Sequence, residues 1–371
     1  MRRWTNLSYA NVATTSPQAH RVTSEWSDAL ARGGSAEFDG EAEKDAMLPL
    51  RHAAARLLSC EVEDVCVGSS ATELLCSLAW AISPPSGSNI VSTRASFPST
   101  VYPWRRVADE NGAKIRLADH NKSMYTHPDD ILSLIDDDTS VVSLSHVEYT
   151  NGQRYDLRRF ADSAHAVGAL LVVDATQSMG MLPLDATSSG ADAIVSSGYK
   201  WLRGTYGAAV AYISPSIRAD LTPGLVGFRS HVDLWDLKAE RMDLPADASR
   251  FEYTTIHFGA VLGLAAAVDE INDMGIDEVW RHTSSMADLV IEGAARLGLE
   301  VISPLSEGER SAIVSLRLPE GVSSEDISRR LQEEYYIIVT SRSGLLRVSA
   351  HIDNDQSEVH ALFEALDDLI S

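Results

Sequence analysis

Asp174 and Lys200 stand just beyond two short apolar runs and carry opposite charges. Leu170–Val173 is an apolar run ending in Asp174, and Ala193–Val195 is followed by Ser196, Ser197, Gly198, Tyr199 and Lys200. If both runs are strands of one buried sheet, the carboxylate and the amine meet at its carboxyl edge, where open α/β sheets place their ligands. A primary amine condenses with an aldehyde, and a buried anion keeps a pyridine nitrogen protonated so that the ring can draw electrons from an attached carbon. Together these are the two needs of a pyridoxal phosphate (PLP) site.

A phosphate binder stands upstream. Ser70-Ala71-Thr72-Glu73 follows the apolar run Val65–Val67 and has the S/T-x-x-E spacing of a capping box. The free N–H groups and the dipole of such a helix start attract a phosphate, and Thr72 adds a hydroxyl.

In order and spacing the chain resembles the class V aminotransferases of PLP fold type I, the group that includes cysteine desulfurases, kynureninase and isopenicillin N epimerase. Gly68-Ser69-Ser70-Ala71-Thr72-Glu73 is similar to the family's phosphate turn, Asp174-Ala175-Thr176-Gln177 to its Asp-x-x-Gln, and Ser197-Gly198-Tyr199-Lys200 to its Schiff-base loop. Arg250-Phe251-Glu252-Tyr253-Thr254-Thr255 resembles the element that reaches a neighbouring subunit's cofactor phosphate, with Thr254 where the family usually has glycine.

The resemblance implies PLP as cofactor and assigns roles by position. Ser70, Ala71, Thr72, Ser197 and Tyr199 would hold the phosphate, with Thr255 contributed across a homodimer interface. Gln177 would donate to the phenolic oxygen. Phe97, in Arg94-Ala95-Ser96-Phe97-Pro98-Ser99-Thr100, would lie on the ring face as the phenylalanine of kynureninase's similar Asn-Phe-Pro-Thr stretch does. A phenyl ring moves no proton, so proton transfer at Cα would fall to Lys200. In His146-Val147-Glu148-Tyr149-Thr150-Asn151-Gly152 the family's asparagine is displaced, so either Glu148 or Tyr149 could face cofactor or substrate. Arg347 sits where the family's arginine takes the substrate α-carboxylate through two parallel hydrogen bonds, and Arg342 is a second candidate. His231, Trp235, His257 and Arg229 lie in or near a loop expected beside the pocket.

The elements that must position these groups are legible as pattern. Short apolar runs at Val65–Val67, Ile90–Ser92, Ile115–Leu117, Val141–Leu144, Leu170–Val173, Ala193–Val195 and Ala208–Ile213 alternate with helical stretches. That spacing predicts an α/β fold with a mostly parallel seven-stranded sheet. After residue 255, helices at His257–Met274 and Asp277–Leu297 precede strands at Ile313–Leu318, Ile337–Thr340 and Leu345–Val348, with helices near Ser323–Glu334 and Asp355–Ile370. The expected division is an N-terminal segment (1–15), a large PLP-binding domain (16–255) and a smaller C-terminal α+β domain (256–371). Residues 229–250 show no period and read as a loop.

Composition narrows the function classes. Among 371 residues, Lys+Arg of 31 against Asp+Glu of 53 leaves a net charge of −22, which repels nucleic acid and anionic membranes. No apolar region follows Arg2 and Arg3, and no eighteen apolar residues run together, so a cytoplasmic protein is expected. Cys60, Cys66 and Cys76 show no CxxC or matching His spacing, so no metal site is expected and they read as small buried hydrophobes.

Cysteine desulfurases carry a nucleophilic cysteine in a loop between the two arginine motifs, where this chain has only Ser343-Gly344-Leu345-Leu346. The favoured expectation is therefore β-elimination from a cysteine S-conjugate, a C–S lyase that needs no protein thiol. Alternatives are an aminotransferase and a decarboxylation coupled to oxidative deamination, with epimerase and hydrolase behind them. A non-catalytic regulator is disfavoured, because Lys200 is intact and no room for a basic winged-helix segment precedes Ser8. The expected partners are a small amino acid and a second copy of the chain.

Overall fold

The computed structural model describes residues 4–370; Arg2 and Arg3 of the N-terminal segment, and Ser371, lie outside the described residues. After a short strand β1 (Thr5–Asn6), seven strands form the main sheet: β2 (Val65–Gly68), β3 (Asn89–Thr93), β4 (Lys114–Ala118), β5 (Thr139–Ser145), β6 (Leu170–Asp174), β7 (Ala193–Ser197) and β8 (Ala209–Ile213). Their order is β2-β8-β7-β6-β5-β3-β4, and only β8 runs against the rest.

Strand alternation explains why the central strands are apolar at successive positions. Val142, Leu144, Leu171, Val173 and Ile194 enter one core, while Val141, Val172, Ala193 and Val195 enter another on the opposite face. A sheet covered by helices on both sides must be apolar at odd and even positions alike.

The smaller sheet has the order β12-β13-β10-β9, from β9 (Glu300–Val301), β10 (Val314–Arg317), β12 (Thr340–Arg342) and β13 (Leu345–Val348), all antiparallel. It packs with the helices Ile276–Arg296 and Gln356–Ile370 around Met286, Val290, Leu316, Leu346, Leu362 and Phe363. The stretch expected as one strand at Ile337–Thr340 is two. β11 (Ile337–Ile338) pairs in parallel with β1, and the chain then turns at Val339 so that β12 joins β13. The helix expected at Ser323–Glu334 also changes character, running as α-helix over Ser324–Arg330 and as a π-helical turn over Leu331–Tyr335.

The helix Pro17–Gly33, whose apolar side is a narrow stripe through Ala19, Val22, Trp26 and Leu30, packs on the helix Phe258–Met274. Ala19 is its single buried residue, and the two backbones approach where Gly259 and Gly263 face Trp26, Thr23 and Ala19. Between the two lobes a small apolar joint gathers Tyr9, Ala10, Ala13, Val147, Met181, Leu182, Trp201, Ala312 and Ile313. Among the described residues no helix is long and apolar enough to cross a membrane.

Candidate active site

Five strand ends supply the site. β2 leads into the helix Ala71–Ile82, β3 into the turn carrying Phe97, β5 into the loop carrying Tyr149, β6 ends on Asp174, and β7 leads to Lys200. Ala71, Thr72, Phe97, Ser99, Ser145, Val147, Tyr149, Asp174, Thr176, Gln177, Ser197, Tyr199 and Lys200 line one cleft of about 430 Å³, counted to its open mouth. Nine of the residues expected at the site thus meet here.

At the helix start Ser70 Oγ accepts the Glu73 N–H at 3.2 Å. The reciprocal half of the expected capping box is shifted by one residue, because the Glu73 carboxylate accepts from Ser69 N–H at 3.1 Å and from Ser69 Oγ instead. The N–H groups of Ala71 and Thr72 have no intrahelical acceptor and stand at the cleft with the Ser197 and Tyr199 hydroxyls. Thr72 Oγ1 donates to Ser99 Oγ at 2.9 Å, which fixes its rotamer.

Asp174 is buried and held from two sides: Oδ2 accepts from Thr100 Oγ1 at 3.0 Å and Oδ1 from Thr176 N–H at 2.9 Å. Thr176 Oγ1 in turn accepts from Ser197 N–H at 3.2 Å, so the carboxylate and the Lys200 loop share a support. Burial pushes the Lys200 amine down to about 8; Asp174 opposes the shift, while Arg347 and Arg342 add to it. Its Nζ lies 5.7 Å from the Phe97 ring centroid and 5.9 Å from that of Tyr199. Phe97 and Tyr149 meet edge to face, with centroids 5.3 Å apart.

Gln177 spends one N–H on Ala10 O at 2.9 Å and its carbonyl on the Trp201 indole at 2.8 Å, leaving one amide N–H at the cleft. The segment Tyr9–Ser16 runs past the site as a strap. Asn11 Oδ1 accepts from Arg342 at 2.9 Å, and Ala13 N–H donates to Tyr199 O at 3.1 Å.

Five expected site residues are not among those lining the cleft; Ser70 is one, its hydroxyl spent on capping the helix that carries Ala71 and Thr72. Arg347 is buried, with Nη1 donating to Tyr149 O and Nε without a partner among the described residues. Burial first, and Arg342 second, push the guanidinium down to about 9, so it remains cationic at neutral pH. Arg342 is held by Asn11. Of the pair left open in the sequence, Tyr149 lines the cleft and Glu148 does not: Glu148 is turned inward and accepts from Ser96 Oγ at 2.9 Å. Thr255 is exposed and donates to Glu43 at 3.3 Å.

None of the residues expected beside the pocket lines it. Arg229 binds the carbonyls of Glu43 and Lys44, His231 bonds to Asp233, and His257 caps the helix Phe258–Met274. Arg250 is spent on the carbonyls of Arg218, Ala219, Leu221 and Pro245. Thr100, Thr176, Ser145, Ser99 and Asn11 were not foreseen as site residues. Their hydroxyls and amide come from separate elements; Ser99 and Thr100 stood in the stretch that carries Phe97, and Thr176 inside Asp-x-x-Gln, but nothing in either motif assigned them a role.

The donors fit PLP. An N-terminal helix turn and two hydroxyls suit its phosphate, a buried carboxylate its ring nitrogen, and a neutralised amine its aldehyde. The buried Arg347 Nε, with no anion beside it, suits a substrate carboxylate.

The aminotransferase class-V family model matches residues 9–362. A kynureninase of Deinococcus radiodurans is 30% identical over 80% of this chain and 72% of its own length. A probable cysteine desulfurase of Methanothermobacter thermautotrophicus is 26% identical, over 76% of this chain and 73% of its own. Among solved structures, a cystine C–S lyase in complex with its product cysteine persulfide has a similar fold, with a TM-score of 0.89 at 20% identity, covering 99% of this chain and 98% of that one. A variant of that lyase has glycine covalently linked to its PLP.

Proposed function

The chain belongs to the class V aminotransferase family and is a PLP-dependent enzyme; from that premise we propose that it is a C–S lyase, eliminating the sulfur substituent of a cysteine S-conjugate. The observation that carries the reading is a cleft with an amine, a carboxylate and no thiol. Cys60, Cys66 and Cys76 all lie away from its lining, and burial pushes each thiol up.

When bound, the cofactor supplies an electrophilic carbon for the amino group and a ring that withdraws electrons from the substrate Cα. Asp174, fixed by Thr100 and Thr176, keeps the ring nitrogen protonated. The Ala71 and Thr72 N–H groups, with Ser197 and Tyr199, hold the phosphate. Arg347 takes the α-carboxylate through its free Nε, orienting the Cα–H bond. Lys200, neutral near pH 8, removes the Cα proton and can hand it to the departing sulfur. Phe97 covers the ring and excludes water.

A second reading, a hydrolase of the kynureninase kind, is favoured by the 30% identity and by Phe97 and Tyr149 standing together at the cleft.

The test is the visible spectrum of purified protein, followed by incubation with cysteine S-conjugates and with kynurenine. Pyruvate and ammonia from the conjugates, lost in Lys200→Ala together with the borohydride-reducible link between cofactor and protein, are the expected result. Consumption of kynurenine without pyruvate release would favour the second reading. Conversion of the cofactor to its amine form with release of a 2-oxo acid from a common amino acid would make the protein an aminotransferase.

A further inference from the structure

Glu148 stands where the sequence resemblance left the family's asparagine displaced, and it is wholly buried. Its backbone is committed on both sides, N–H donating to Gln153 O at 2.8 Å and C=O accepting from Gly152 at 3.0 Å, which closes the loop after β5. Its side chain crosses to the turn after β3, where Ser96 Oγ donates to Oε1 at 2.9 Å. Each partner is the immediate neighbour of a ring at the cleft: Ser96 precedes Phe97, and Glu148 precedes Tyr149. Those two rings meet edge to face, and Tyr149 O also receives Arg347 Nη1.

Other polar groups of the same loop are buried too. Glu148 Oε2, His146 Nδ1 and Thr150 Oγ1 are without a partner among the described residues. No cation reaches the carboxyl in an ion pair among the described residues, and the charge acting on it is the Asp174 carboxylate.

We propose that Glu148 is a positioning residue: its hydrogen bond to Ser96 joins the turn carrying Phe97 to the loop carrying Tyr149 and thereby sets the ring pair that walls the cleft. The inference rests on that cleft being the cofactor and substrate site.

A carboxyl in such surroundings is held as the uncharged acid. Burial raises it to about 8; the hydrogen bond from Ser96 opposes the shift, and repulsion by Asp174 adds a smaller push upward. An uncharged acid can be buried at the cost of a hydrogen bond instead of an ion, and glutamine copies it in size and as an acceptor for Ser96. Leucine keeps the volume and removes the bond. Because Phe97 and Tyr149 face cofactor and substrate while Glu148 touches neither, the effect should fall on binding more than on turnover.

The experiment compares Glu148→Gln, Glu148→Leu and Ser96→Ala, measuring PLP affinity of the apoprotein by fluorescence titration, then KM, kcat and the melting temperature of the loaded enzyme. Glu148→Leu and Ser96→Ala are each expected to weaken PLP binding and raise KM by about tenfold, with a smaller change in kcat, and their effects should not add. Glu148→Gln should restore both quantities to within about twofold. In a Phe97→Leu background Glu148→Leu should add nothing. Unchanged PLP affinity and KM in a folded Glu148→Leu would overturn the proposal, as would losses that add to those of Phe97→Leu. Should Glu148→Leu fail to fold, Ser96→Ala alone decides: a normal PLP affinity there refutes the link. If borohydride fixes the cofactor to the wild-type protein but not to Lys200→Ala while these variants are inert, this inference fails and the proposed function stands. If borohydride still fixes the cofactor to Lys200→Ala, the site reading itself fails.

Discussion

Lys200 sits among two arginines and one carboxylate, and desolvation decides the balance, leaving the amine at about 8 instead of the ordinary 10.5. Only the neutral amine can capture an aldehyde, so PLP uptake by the apoenzyme should accelerate as pH rises through about 8. A stopped-flow pH series would show this, and a midpoint at the ordinary lysine value would refute it. Arg342→Gln removes one neighbouring cation and should move the midpoint upward. The sign for stability follows from the same shift. The unfolded chain binds this proton below its higher pKa, so Lys200 contributes least to the native state below pH 8 and more as pH rises above it. Asp174 and Lys200 were legible because each follows an apolar run, whereas Thr100 was not. It is a hydroxyl in the first turn of an ordinary helix, and only the folded sheet reveals that it holds Asp174.

Most of the main sheet's strands were legible because strands buried on both faces carry apolar residues at successive positions; the edge strand β4, half-exposed and carrying Lys114 and Arg116, was marked only by Ile115 and Leu117. The helix Pro17–Gly33 is less plain in the sequence because its apolar residues are few and only Ala19 is buried, the close contact falling on the partner helix's glycines. The division of Ile337–Thr340 was equally hidden, since an apolar run does not say to which sheet each half belongs. Gly152 shows how much one turn can carry. It closes the loop after β5 at φ +73°, and a methyl there would stand 2.5 Å from Ile313 O on the smaller lobe. Gly152→Ala should therefore cost about 2–4 kcal/mol, combining a strained backbone with a clash against main chain. Calorimetry would register it as a lower melting temperature, and because Tyr149 rides on the same loop, KM should rise with it. A variant that melts normally would mean the loop yields more easily than its packing implies.

At the level of the molecule, an excess of 22 negative charges surrounds a cleft flanked by Lys200, Arg342 and Arg347. The local cations, not the far field, must recruit a carboxylate. Tyr206 is 62% exposed and Leu237 68%, and Thr255 is exposed outside its own chain's cleft lining; we propose on these grounds the homodimer with shared sites that the sequence resemblance implies. Sedimentation of the loaded enzyme should give twice the chain mass, and an active monomer would sink that proposal. The strap carries a consequence in time. Tyr9 and Ala10 hydrogen-bond to Ser349, which lies 339 residues beyond Ala10, while Ala13 holds the backbone beside Lys200. The large sheet can fold as it emerges, but the cleft can close only after Ser349 has left the ribosome. Cofactor capture is thus a late, chain-length-gated event, and nascent chains truncated before Ser349 should fold their sheet yet hold PLP weakly.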